Sequence, residues 1–389
     1  MNDIDKIYVM KFLMGFTIIE GIFMLFLLSI GLDYTQLLIT QGIFSFSVLI
    51  FQIPAGILSD LWSRKNVLVI GSLVGIIANT IYANSNNFQQ AILGEFLYGI
   101  AVAFLVGTFS SFAYDTFISN KFANQTKKFF SKGTFFMLIG GIIGPIFGGI
   151  ISDRFGLRLA MKSNIIIWAS LFVFSLFLKE PSRKKNRVSF DYFNQIKISY
   201  NLLKKDKLLR VLIFNGVVIS VFSWAIHDLI QPHLQTLDVD LLSIGLIFSI
   251  SNLLSAIISN FSYLIERKIG PIFSIHVSTA LIIFGTLILG LSKIPMLVIL
   301  GFLVTRVITR YREPLFENYF NKLTPKDKRA TIVSFSNFIY WFLFGIFSFF
   351  IGFYIDKWGL EKIFLLFSLF MCIVGIMTKL NIDDGGRLK

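Results

Sequence analysis

The apolar residues of this chain fall in long blocks separated by short polar stretches, and neither a period of two nor a narrow helical stripe organises them. Twelve blocks stand out, at about 7–32, 37–58, 67–84, 90–118, 131–152, 159–179, 208–236, 241–265, 270–290, 295–321, 327–355 and 359–380. A helix needs roughly 20 mostly apolar residues to cross a hydrocarbon core about 30 Å thick. The pattern therefore predicts an all-α membrane protein with twelve transmembrane helices, the longest of them tilted or protruding. Most connections are short. The exception runs from Lys179 to Lys207, "KEPSRKKNRVSFDYFNQIKISYNLLKKDK", which is basic and holds a stretch suited to a surface amphipathic helix. It divides the chain into a six-helix bundle at 1–179, a cytoplasmic linker at 180–207 and a second six-helix bundle at 208–389.

Composition agrees with the pattern. Of 389 residues, 55% are hydrophobic, 15% are charged and 45 are Phe, whereas soluble domains carry about 25% charged residues. The single cysteine, Cys372, excludes an intramolecular disulfide and a cysteine-based metal site. With only three histidines, no metal site and no cofactor is expected. Met1 to Lys6 is short and contains Asp3 and Asp5, unlike a cleavable leader, so the first hydrophobic segment is expected to be retained.

The net charge of +14 changes meaning once the bases are placed. With the N-terminus inside, about 27 Lys and Arg fall in inner regions and about six in outer loops. This bias predicts a multi-pass protein of a prokaryotic cytoplasmic membrane with both termini cytoplasmic. The bases then face anionic lipid, and no nucleic-acid partner is expected.

The chain also repeats itself. "SDLWSRK" (Ser59–Lys65) returns as "SYLIERK" (Ser262–Lys268), and "SDRFGL" (Ser152–Leu157) returns as "IDKWGL" (Ile355–Leu360), both displaced by 203 residues. Two matches at one displacement indicate duplicated halves, an architecture suited to alternating access.

With Gly56, Asp60, Arg64 and Lys65 between segments two and three, the sequence resembles the major facilitator superfamily over nearly its whole length. "IPAGILSDLWSRK" is similar to that family's loop signature, with Ser63 where glycine is usual and Leu61 where a base is usual. "GGIIGPIFGG" (Gly140–Gly149) resembles the motif of the drug:proton antiporter branch of bacterial members. The resemblance implies the major facilitator fold of two pseudo-symmetric six-helix bundles. It further implies that Asp60 faces the N-terminal end of segment eleven in the other half, and that Arg64 pairs with Asp115 at the inner end of segment four. Each contact, at about 1 kcal/mol, suffices to bias a balanced two-state switch. The plainer alternative is a charged loop that only fixes topology.

Gly140, Gly144 and Gly148 lie four apart on one face, with Gly149 and the bending Pro145 beside them. Small residues admit close helix approach, and the expected contact is with a helix of the other half; ordinary close packing is the alternative. Glu20 is the sharpest single residue. Thirteen residues from Ile7, about 20 Å along a continuous helix, it lies well inside the hydrocarbon, where an acid must be neutralised, paired or wetted. It is the candidate proton carrier, and a permanent pairing with an arginine is the alternative. Arg306, Arg310, Glu313 and Glu317 are spaced four, three and four, so they share one helix face that cannot meet lipid. His227 and Asp228, near Pro232, form a second candidate titratable site or a structural pair.

No phosphate loop of the G-x-x-x-x-G-K-[ST] type, nucleophile elbow or HExxH motif is present, and the chain is not read as an enzyme. The favoured reading is a secondary active transporter, working as a monomer, that exports a small lipophilic compound in exchange for protons. The alternatives are a proton symporter or uniporter of an anionic or polar metabolite, and a non-transporting membrane scaffold or sensor.

Overall fold

A computed structural model describes residues 2–119, 126–181, 192–380 and 384–388. Among these residues the chain is almost entirely helical. In chain order the helices are α1 (Asp3–Gly15), α2 (Phe23–Ser29), α3 (Tyr34–Leu61), α4 (Arg64–Asn84), α5 (Phe88–Ser119), α6 (Thr126–Phe155), α7 (Leu157–Leu176), α8 (Tyr192–Lys205), α9 (Lys207–Thr236), α10 (Leu241–Ile269), α11 (Pro271–Leu291), α12 (Pro295–Leu323), α13 (Arg329–Trp358), α14 (Leu360–Met377) and the short α15 (Asp384–Leu388). Ten of them are long and apolar enough to cross a bilayer. Two of the twelve expected spans differ from these ten. α12 has the length but carries five charged residues between Arg306 and Glu317, and the first span is divided between α1 and α2.

Helix ends follow local chemistry. Asp33 opens α3 with a capping box, its side chain accepting from Gln36 N while Gln36 reaches back. Ser63 caps α4, and Asp206 caps α9 through Leu208 N and Leu209 N. The tight joints between α6 and α7 and between α13 and α14 each turn on a glycine with positive φ, Gly156 at 87° and Gly359 at 83°. Glycine takes this left-handed conformation without steric cost.

The chain forms two compact units. Unit 1 contains Met1–Phe190 together with Asp240–Ile250, the start of α10; unit 2 contains Asp191–Val239 and Ser251–Lys389. In unit 1, α5 packs on α3 and α4, α4 on α7, and α1 on α6. Its core gathers Ile7, Leu68, Phe109, Phe112, Phe117 and Trp168. In unit 2, α11 packs on α12 and α14, and α9 on α12, α13 and α14.

The expectation of one continuous helix over 7–32 is corrected here. The helix stops at Gly15, and Phe16–Ile22 form turns before α2 begins. Short bonds replace the regular ladder: Thr17 N donates to Gly15 O at 2.7 Å, Ile22 N to Ile19 O at 3.1 Å, and the Thr17 hydroxyl to Gly15 O at 3.1 Å. The break packs directly on the neighbouring α6. Gly140, Gly144 and Gly148 press against the backbone of Phe12, Gly15, Phe16, Thr17 and Ile18, and Gly15 in turn meets Met137 O. A side chain at any of these glycines would collide with main-chain atoms; a Cβ on Gly144 would stand 2.7 Å from Thr17 N. Among the described residues, the nearest neighbours of the three glycines are thus α1 and the break after it, and not the expected helix of the second half of the sequence. The adjoining face of α6 does meet such a helix, inside unit 1. Gly149 packs on Leu241 and Leu242, Gly245 on Pro145 O and Gly149, and the Ser249 hydroxyl donates to Ile142 O at 2.5 Å.

Candidate functional site

Glu20 lies in the break, between α1 and α2, and not on a helix face. It and Glu95 both act electrostatically on Tyr98 of α5. Glu95 is 2% exposed and accepts a hydrogen bond from Gln41 Nε2 of α3 at 2.9 Å. Unit 1 thus brings two acids to one tyrosine. An acid and Gln41 in the fourth and second apolar blocks was the available sequence signal for this pair. Beside the break is a cavity of about 100 Å³, lined by Leu13, Thr17, Tyr98, Asn164 and Trp168 among others.

The α3–α4 turn holds a second polar group. Arg64 Nη1 meets Asp115 Oδ2 at 2.6 Å and also donates to Ser111 O on α5, while Nη2 stands 3.6 Å from Asp60 Oδ1. The Arg64 and Asp115 side chains are 13% and 19% exposed, and that of Asp60 is 38% exposed, so the group is half wet. Gly56 faces open space. Sequence reasoning missed Glu180. Its carboxylate accepts from the Ser63 hydroxyl at 2.8 Å, from Arg64 N at 3.0 Å and from Lys65 N at 2.8 Å. An anion there satisfies the open N–H groups at the positive end of α4. The signal was the acid in "KEPSRK", where the chain returns to the same end of the bundle.

Unit 2 assembles a third group around α9, α12 and α13. His227 and Asp228 are buried on α9, at 6% and 5% exposure. Arg306 interacts electrostatically with both, and Arg310 with His227. Asp228 Oδ2 is buried and has no hydrogen-bond partner among the described residues. One step along α12, Arg310 Nη1 grips both oxygens of Glu313, at 2.8 and 2.9 Å.

Arg312 escaped the sequence reading because it lies off the stripe of Arg306, Arg310, Glu313 and Glu317. It is 5% exposed and held by neutral groups: the Ser278 hydroxyl at 3.0 Å, the Thr279 hydroxyl at 2.6 Å, Ile275 O at 3.4 Å and Asn215 Oδ1. The Phe316 ring lies 4.5 Å from its guanidinium carbon. Asn215 passes the link to the Thr378 hydroxyl at 2.7 Å. One cation thereby ties α9, α11, α12 and α14. A charge removed from water costs several kcal/mol, and this cage offsets the cost with oriented acceptors in place of a carboxylate.

Next to this tie is a cavity of about 430 Å³. Three helical stripes line it: Gly216, Val217 and Ser220 from α9; Thr309, Arg312, Glu313, Phe316, Glu317 and Phe320 from α12; and Val333, Ser336, Asn337 and Tyr340 from α13. Gly216 makes room for Phe316, since a Cβ there would stand 2.7 Å from the ring. Its volume is in the range of small-molecule sites, and its lining mixes aromatic faces with a few convergent polar groups.

A family model described as Major Facilitator Superfamily matches residues 8–343. A curated relative, an uncharacterised transporter of Buchnera aphidicola subsp. Acyrthosiphon pisum (strain APS), is 39% identical over 61 residues, which is 16% of this chain and 16% of that protein. The chain therefore matches under one fifth of the length of the curated relatives. Among solved structures, the nucleoside transporter NupG superposes with a TM-score of 0.82 at 14% identity, covering 97% of this chain and 98% of that one. A POT family transporter in complex with 5-aminolevulinic acid gives 0.75 at 13% identity over 99% and 96% of the two chains. A D-xylose–proton symporter gives 0.72 at 14% over 96% and 95%. Identities this low speak for the fold alone.

Proposed function

The chain belongs to the major facilitator superfamily, and from that premise we propose that it is a secondary active transporter of a small polar solute, coupled to protons through Glu20. The observation that carries this reading is the unit 2 cavity. Ser220, Thr309, Ser336, Asn337, Tyr340 and two carboxylates offer hydrogen bonds along its walls. A purely lipophilic cargo displaces water from these groups without replacing its hydrogen bonds, so the polar-metabolite alternative is preferred here to drug export. Relatives of this shape include proteins described as nucleoside and D-xylose transporters, which agrees with a polar cargo.

Glu20 supports the coupling. It sits in a break whose freed main-chain groups can line a wetted path, as in transporters with discontinuous helices. The Arg64–Asp115–Asp60 group is the switch: its half-wet contacts open at small cost. The base distribution supports an arrangement with both termini in the cytoplasm.

Purified protein in liposomes tests the reading. With an imposed pH gradient, radiolabelled nucleosides, pentoses and dipeptides are followed alongside lipophilic dyes. Gradient-driven movement of a polar solute, lost in Ser336→Trp, is the expected result. Movement of dyes alone would return the assignment to drug export.

A further inference from the structure

The charges on the cavity wall of unit 2 are not equivalent. Arg312 is turned into its cage on α9 and α11. Glu313 is held by Arg310 at 2.8 Å. Glu317, one turn further along α12, lines the same cavity and makes no ion pair or hydrogen bond among the described residues. Among the described residues, the one charged side chain on this wall without a hydrogen-bond or ion-pair partner is therefore an acid. It stands between Phe316 and Phe320 on its own helix, with Tyr340 of α13 on the wall.

We infer that Glu317 receives a protonated amine of the transported solute. The inference rests on the cavity being the solute site. A carboxylate and an ammonium form a charge-assisted hydrogen bond, roughly twice as strong as a neutral one. The Phe320 and Tyr340 rings on the same wall add attraction for the same cation, while the Phe316 ring already carries the Arg312 guanidinium. Asn337 and Ser336 then engage the neutral hydroxyl or carbonyl groups of the solute. An anionic solute meets repulsion from Glu317 and finds the hydrogen-bond donors of Arg312 already engaged by Ser278, Thr279 and Asn215, so the wall offers an acid no free donor there. The cavity's volume, about 430 Å³, admits an amine carried on one or two aromatic rings.

The test uses probes that differ in one group. Tyramine, tyrosol and 4-hydroxyphenylacetate present an ammonium, a hydroxyl and a carboxylate on one scaffold; tryptamine, tryptophol and indole-3-acetate repeat the series on a larger one. Binding to the full-length protein in detergent is measured by calorimetry at pH 7 for the wild type, Glu317→Gln, Glu317→Asp and Ser336→Trp. The wild type is expected to bind each amine at least tenfold tighter than its alcohol, and the acid weakest. Glu317→Gln should erase the preference while holding the alcohol as before, which also shows that the variant is folded; Glu317→Asp should keep part of it. Equal binding of amine and alcohol by the wild type, or a preference that survives Glu317→Gln, overturns the amine assignment and leaves the cavity reading standing. Binding unaffected by Ser336→Trp, or no binding of either member, overturns both.

Discussion

The helices α1 and α9 begin at equivalent places in the repeat and end differently. Displaced by 203 residues, α1 and the break after it correspond to the start of α9, and α6 corresponds to α13. Unit 1 places Gly140, Gly144 and Gly148 on α6, and the chain opposite is broken at Phe16–Ile22. Unit 2 places Leu343, Phe347 and Ile351 at those positions, and α9 is continuous from Lys207 to Thr236. Phe347 meets Phe222 of α9 with ring centroids 4.9 Å apart, edge to face. Backbone packs on backbone in unit 1, whereas ring packs on ring in unit 2. The break carries Glu20; the corresponding residue of α9 is Ser223, whose hydroxyl bonds back to Ile219 O within its own helix. One duplicated element is broken around an acid and the other runs on as a regular helix.

The duplicated turns differ in a similar way. Arg64 reaches Asp115 across unit 1 in a half-wet ion pair. In unit 2, Glu266, which stands where Ser63 stands in unit 1, is 6% exposed and accepts from the Tyr319 hydroxyl at 3.1 Å. A half-wet pair opens readily; a buried bond to a carboxylate is a fixture.

Four experiments would break or sharpen this contrast. Gly144→Leu should be the most damaging, because its side chain meets main-chain atoms that cannot yield. A loss of roughly 3 kcal/mol or more, or no folded protein, is expected in thermal unfolding in detergent, against about 1 kcal/mol for Phe347→Leu. A tolerated Gly144→Leu would dissociate the break from the glycine stripe. Arg312→Ala comes next, with roughly 2–3 kcal/mol lost by the same assay as Asn215 and Thr279 lose their donor. Glu20→Gln should lower gradient-driven transport at least tenfold, equivalent to about 1.4 kcal/mol, with solute binding and unfolding temperature unchanged; Ser223→Ala should leave transport as it was. Full coupled transport by Glu20→Gln would remove Glu20 from the mechanism. The smallest effect is the coupling between Arg64 and Asp115. A double-mutant cycle with Arg64→Ala and Asp115→Asn should give about 1 kcal/mol or less, falling as salt is raised, while the Glu266→Gln and Tyr319→Phe cycle should be insensitive to salt.

The positions of most spans, the duplication and the charged turn could be read along the chain, while residues 182–191 of the expected linker lie outside the described residues. Each depends on block length, on a run such as "SDLWSRK" or on counts of bases, and so on neighbours in sequence. Arg64 and Asp115 were legible as a pair because the family resemblance supplied the geometry. Glu180 and Arg312 were not, since their partners lie 115–117 and 33–97 residues away.

By itself, then, the sequence determined that this is a two-half helical membrane protein, because a bilayer sets a length and an apolarity that any window of the chain either meets or fails. Only the tertiary structure decided where the first helix breaks, which face of α6 touches what, and which of the charges on α12 is left facing a cavity. These outcomes depend on how closely two backbones approach and on which acceptors are within reach of a donor. Such distances are properties of pairs of segments, and no stretch of sequence contains them alone.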